Sequence, residues 1–178
     1  MKTVSLFTAL AIGLVGQFAQ AQENIPDLRG TGWEGTYSIL GQASPIRVGF
    51  AAGTNAKGET PYFGKVLEGG LISEVAGEVS VTCDRTPRAL RLDSPTTGTL
   101  SVYTCAGSAA EEDQLAADAN RQVAKSVKLK DIVLSEDGQT LSFTAKIIVN
   151  VRYVLHRKDL PKETAESREA LRAWVVGQ

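Results

Sequence analysis

"QTLSFTAKIIVNVRYVLHR", residues 139–157, decides how the rest of this chain is read. Leu141, Phe143, Ala145, Ile147, Val149, Val151, Tyr153 and Leu155 share one parity, against Thr140, Ser142, Thr144, Lys146, Asn150, Arg152 and His156. A repeat of two places apolar side chains on one face of an extended chain, so the segment is β, with its apolar face toward a core. At this length it exceeds an ordinary strand, and the sequence predicts one long strand that bends, with a bulge near Ile148-Val149-Asn150. Long bent strands belong in barrels.

Working outward, shorter alternating runs fill most of the chain. Trp33, Gly35, Tyr37 and Ile39 share a face, as do Ile46, Val48 and Phe50. A polar, glycine-rich loop, "AGTNAKGETP", precedes a less regular strand from Tyr62 to Leu67. "GEVSVTC", "RALRLD" and "TLSVYTC" supply three more strands, and "VKLKDIVL" another before a Glu136-Asp137-Gly138 turn. About eight strands with one apolar face are most economically closed as an up-and-down antiparallel β-barrel, a two-sheet sandwich being the alternative.

Two helices interrupt the β pattern. In "SAAEEDQLAADANRQVAKSV", residues 108–127, Leu115, Ala116, Ala119, Val123 and Val127 cluster on one side of a helical wheel, which predicts a helix over about 109–126 after Ser108 as N-cap. Glu111, Glu112 and Asp113 then form a solvated, dipole-favoured helix start, because their consecutive spacing does not suit a calcium loop. Residues 163–176 form the second helix, with Ser167, Leu171, Trp174 and Val175 on one face, and it is expected to dock on the barrel wall.

The first 21 residues read as a secretory signal peptide: Lys2, an apolar run from Val4 to Val15, and small residues in Ala19-Gln20-Ala21. That run is shorter than the roughly 20 apolar residues a membrane span needs. The expectation is therefore a soluble protein, secreted or periplasmic, with residues 22–178 forming one domain. In an oxidising compartment Cys83 and Cys105 are expected to pair, a disulfide worth about 3 kcal/mol by loop closure. With a formal net charge of −1, nothing in the composition points to nucleic acid.

Catalytic signatures are missing from the sequence. His156 is the single histidine, on the polar parity of its strand, and no Gly-x-Ser-x-Gly elbow occurs. Gly64-Lys65 is followed by Val66 where a phosphate loop needs Ser or Thr. The pairs Glu74 with Glu78 and Asp131 with Glu136 read as solvated surface. No enzyme activity, metal or cofactor is expected, which leaves the barrel interior as the candidate site. Tyr37, Phe50, Phe143 and Tyr153 are its candidate lining residues, and the scarcity of aromatic rings favours an apolar ligand over a sugar. A protein partner is the alternative, with "QENIPDLRG" as the inserting segment of a protease-inhibitor barrel.

"LRGTGWEGTY" at residues 28–37, the meander after it and a last strand ending "YVLHRKD" resemble the calycin pattern of lipocalin-like secreted barrels. The resemblance implies that Trp33 closes one barrel end and that Arg157 or Lys158 packs across its ring as a structural plug. The chain departs from that pattern in two places. Gly32 directly precedes Trp33, so a strict Gly-x-Trp is absent, and a helix stands between strands. Gly30, Gly32 and Gly35 are read as allowing tight backbone turns beside the bulky ring.

Overall fold

The computed structural model describes residues 25–67, 88–104, 108, 110–111 and 123–177. Eight strands, β1 (Thr31–Ile39), β2 (Gln42–Phe50), β3 (Thr60–Val66), β4 (Arg88–Leu92), β5 (Gly98–Tyr103), β6 (Val123–Leu134), β7 (Thr140–Lys146) and β8 (Asn150–Lys158), form an antiparallel closed barrel in sequential order. β1 pairs with β8 to close it, from Gly32 opposite Lys158 to Ser38 opposite Arg152. Helices α1 (Lys162–Glu166) and α2 (Arg168–Val176) follow the last strand.

Eight strands arise differently from the way the sequence suggests. The 139–157 run is a hairpin rather than one bent strand: Ala145 faces Val151, Lys146 faces Asn150, and Ile147 to Val149 form the connection. Leu141, Phe143, Ala145, Val151, Tyr153 and Leu155 keep the inward parity, whereas Ile148 at the tip is 87% exposed. The strand read in "GEVSVTC" lies outside the described residues, as do the leader and both cysteines, Cys83 and Cys105.

The helices also differ from expectation. Ala110 and Glu111 are helical, with the Glu111 N–H donating to Ser108 Oγ at 3.1 Å, and residues 112–122 lie outside the described residues. From Val123, however, the chain is already in β6. A spacing of four, as between Val123 and Val127, suits a strand as well as a helix, which is why the wheel overran. The C-terminal helix is two helices. Ser167 is extended (φ −98°, ψ 121°) and its hydroxyl accepts the Ala170 N–H at 3.2 Å, so it caps α2 rather than joining its packing face.

Local chemistry explains the turns. Leu40 (φ 49°) and Gly41 (φ 85°) make the β1–β2 connection, and two consecutive positive φ values give the turn whose twist matches the flanking strands. Inside β6, Asp131 (φ 52°) bulges, so Leu129 and Ile132 both point inward while Val133 is 57% exposed.

α2 packs on the outside of β2 and β3. Gly32 and Gly49 are register partners on the outer face, and a Cβ on Gly49 would meet Leu171 at 2.8 Å. One on Gly32 would meet Trp174 at 2.9 Å. The two glycines form a flat seat for Leu171 and Val175, both buried, each contributing about 1.5–3 kcal/mol by leaving water. Arg47 Nη1 donates to the Trp174 carbonyl at 2.8 Å and Lys65 Nζ to that of Val176 at 2.6 Å, placing two cations at the negative end of the helix.

Candidate functional site

The lumen has two layers. Trp33 anchors the first: it is 1% exposed, and its Nε1–H donates at 2.8 Å to Thr31 Oγ, whose hydroxyl donates in turn to the Leu28 carbonyl. Strand pairing sets Trp33 opposite Arg157, whose guanidinium carbon is 6.0 Å from the ring centroid. Lys158, one residue on, faces outward and pairs with Glu34 at 3.1 Å. Of the two basic candidates, Arg157 is therefore the one over the indole. Val48, Phe50, Leu129, Ile132, Leu141 and Leu155 fill this layer, all buried. Phe50 is buried and packed against Tyr62, centroids 6.0 Å apart.

The second layer lies two inward positions further along β1. Tyr37 meets Tyr153 at 6.1 Å between centroids, and Tyr153 stacks on Phe143 at 4.6 Å with an interplanar angle of 16°. Three of the four candidate lining residues thus come together, and Tyr62 joins them. Tyr62 and Tyr153 lie deep in the barrel, where burial pushes both phenols above their ordinary pKa, yet part of each side chain is accessible. Ile39, Val66 and Phe143 on the inner face are likewise only partly buried.

Arg88 completes this layer and was not among the candidates. It shares inward parity with Leu90 and Leu92, and its Nη1 is 3.9 Å from where a Cβ on Gly64 would stand. Gly64 leaves room for the guanidinium, which lies beside the Tyr62 hydroxyl and partly offsets the upward push of burial on that phenol. Among the described residues no carboxylate forms an ion pair with Arg88. Tyr37 Oη is, among the described residues, the one buried side-chain oxygen or nitrogen without a hydrogen-bond partner. The signal for Arg88 was present in "RALRL", where an arginine alternates in phase with two leucines.

No family model, curated protein or solved structure matches the chain. The residues themselves therefore carry the reading. Among the described residues, no group of three His, Cys, Asp or Glu side chains could hold a metal, and no helix is long and apolar enough to cross a membrane. His156 is exposed on the outer face of β8, its Nδ1 3.4 Å from Thr140 Oγ. Within "QENIPDLRG", Leu28 is buried in the core, while Arg29 and Asp27 pair at 2.6 Å on the surface. A cleft of about 250 Å³ opens between this segment, the 54–60 loop and β4, at the Trp33 end.

A second buried polar group sits on the outer wall, beneath the loop that joins β2 to β3. The Glu59 carboxylate accepts hydrogen bonds from Ser101 Oγ at 2.7 Å, Asn55 Nδ2 at 3.0 Å and the Tyr103 hydroxyl. Asn55 Oδ1 accepts the backbone N–H groups of Lys57 and Glu59, both at 2.9 Å. Burial pushes the Glu59 carboxyl up, but the three hydrogen bonds and the Lys57 charge outweigh it, so the group titrates below its ordinary value. Both carboxylate oxygens accept hydrogen bonds, which makes this cluster a fastening for the loop. Since the folded pKa is depressed, the stabilisation is complete above the unfolded value of about 4.3 and is lost as pH falls through the folded one. Chemical denaturation is expected to show an acid-side loss of stability below about pH 4. In Glu59→Gln that limb flattens and the neutral-pH stability drops by about 1–3 kcal/mol. An unchanged acid limb in the variant would assign the loss to other carboxylates.

Proposed function

We propose that this protein is an extracytoplasmic, lipocalin-like binding barrel that holds a small apolar ligand in its lumen and performs no catalysis. The observation that carries the reading is the second lumen layer. On the inner face Tyr37, Tyr153 and Phe143 are in ring contact, and Tyr62, Phe143 and Tyr153 are only partly buried. A barrel of this size either fills its interior with side chains or holds one small ligand. Apolar walls with a few polar groups suit a small-molecule site. The resemblance of residues 28–37 and 153–159 to lipocalin-like barrels supports the same reading, as does the closed eight-stranded architecture.

A neutral solvatochromic dye tests it. Emission from the dye is expected to shift to the blue and rise on adding the protein, and Val66→Phe, which occupies the space beside the aromatic layer, is expected to reduce that gain severalfold while circular dichroism stays unchanged. Dye emission in wild-type protein equal to that in buffer would remove the proposal.

A further inference from the structure

Seven large apolar side chains are exposed among the described residues, and five of them, Leu40, Leu67, Ile147, Ile148 and Val149, lie at the barrel end opposite Trp33. Ile148 and Leu40 are the most exposed, at 87% and 85%. They stand at the tips of two neighbouring hairpins, since Ser38 near the end of β1 is the register partner of Arg152 near the start of β8. Neither tip carries a charge: Ile39 to Ala43 and Ile147 to Asn150 contain no ionisable side chain. Single exposed apolar residues are ordinary on a surface, but a group gathered at one end marks an interaction site.

Cations stand directly behind the tips. On the outer wall Lys128 of β6 faces Lys146 of β7, and Lys130, Thr144 and Arg152 form the next row. All four cations are exposed, and among the described residues Lys130, Lys146 and Arg152 form no ion pair. Two lysines directly opposite each other repel, a cost that a negative surface relieves. The halves of β1, β2, β7 and β8 toward this end hold no aspartate or glutamate.

We infer that this end of the barrel docks on an anionic lipid surface, with Leu40 and Ile148 entering the bilayer interface and Lys146 and Arg152 meeting the phosphates. Lys146 precedes Ile148 by two residues, so its backbone stands at most about 7 Å behind the apex. Apolar side chains of surface-bound segments enter the headgroup boundary to about 5–10 Å, a depth that brings these cations level with the phosphates. A protein partner would need a socket shaped for two separate prongs, whereas lipid closes around any convex apolar tip. This docking does not depend on what the lumen holds.

Co-sedimentation of the full mature chain, residues 22–178, with sucrose-loaded vesicles tests it. Vesicles of phosphatidylcholine with about 30 mol% phosphatidylglycerol are expected to bind the protein at least about tenfold more strongly than phosphatidylcholine alone, a preference that about 0.5 M salt removes. Ile148→Ser is expected to weaken binding to the anionic vesicles about tenfold or more, and Lys146→Gln about fivefold. Thermal midpoints stay unchanged in both variants, because both side chains lie in solvent. Ile148→Trp is expected to add a tryptophan emission that moves to the blue on anionic vesicles and is quenched by lipids brominated on the acyl chain. No binding to either vesicle, equal binding to both, or binding that survives Ile148→Ser and Lys146→Gln together overturns the docking. A wild-type dimer that Ile148→Ser abolishes, read by analytical ultracentrifugation without lipid, also overturns it and assigns the tips to a second copy of this chain.

Discussion

Gly35→Ala is expected to cost the barrel at least about 3 kcal/mol, beyond the ordinary range for a single added methyl group. A Cβ at this position would stand 2.0 Å from the Val154 carbonyl oxygen and 2.8 Å from the Leu155 Cα. Both obstacles are backbone atoms of β8, so no side-chain rotation relieves the clash, and β1 must separate from the strand that closes the barrel. Urea denaturation of wild type and variant reads the loss directly. Gly53→Ala is the matched control, because no heavy atom lies within 4 Å of its added Cβ and its φ is ordinary. There the change is expected to be neutral or slightly stabilising through lost freedom of the unfolded chain. A Gly35→Ala protein as stable as wild type would mean that β1 and β8 do not approach each other this closely.

The second large effect is at Trp33. Truncation to alanine removes a fully buried ring from a layer with no slack and leaves the Thr31 hydroxyl without the indole N–H that donates to it. A loss of about 3–5 kcal/mol is expected, a large part of a typical domain's whole stability. Arg157→Ala should cost far less: Arg157 is exposed, and its guanidinium stands 6.0 Å from the ring, at the outer limit of a cation–π contact. The comparison distinguishes a structural plug from a ligand-binding ring, since a plug loses stability on truncation with little effect on dye affinity. Thermal melts of the two variants, with dye titrations on whichever remain folded, give both numbers. If Trp33→Ala kept its stability and lost dye binding, the indole would belong to the ligand site.

Much of the architecture could be read from period-two alternation, because one inward face dominates nearly every strand. The β7–β8 hairpin escaped that reading for a chemical reason. Its connection, Ile147-Ile148-Val149, contains no glycine or proline and consists of strongly β-favouring residues. Propensity extends such a stretch, and the pairing of β7 with β8, from Lys146 opposite Asn150 to Thr140 opposite His156, reverses it. The glycines beside Trp33 were legible as important but not in their separate roles. Gly30 alone has the positive φ of a turn (65°), whereas Gly32 makes space for Trp174 and Gly35 for β8. Those two roles depend on elements more than a hundred residues away, beyond any local pattern. At the site, Tyr37, Phe143 and Tyr153 followed from parity. Tyr62 did not, because Tyr62 and Phe63 are adjacent aromatics on opposite faces, with Phe63 lying outside under Arg172.

The ring closes between the first strand and the last, and this sets an order in time. Each of the other neighbours in the ring is also the next strand in the chain, so those pairings can form as the chain lengthens. Trp33 meets Arg157 only when β8 is available. Until then the indole has no wall to close against, and the sheet has two bare edges, β1 and the last strand added. In a ring arranged this way the β1–β8 seam is the one pairing that joins distant parts of the chain, and it closes only after β8 has formed.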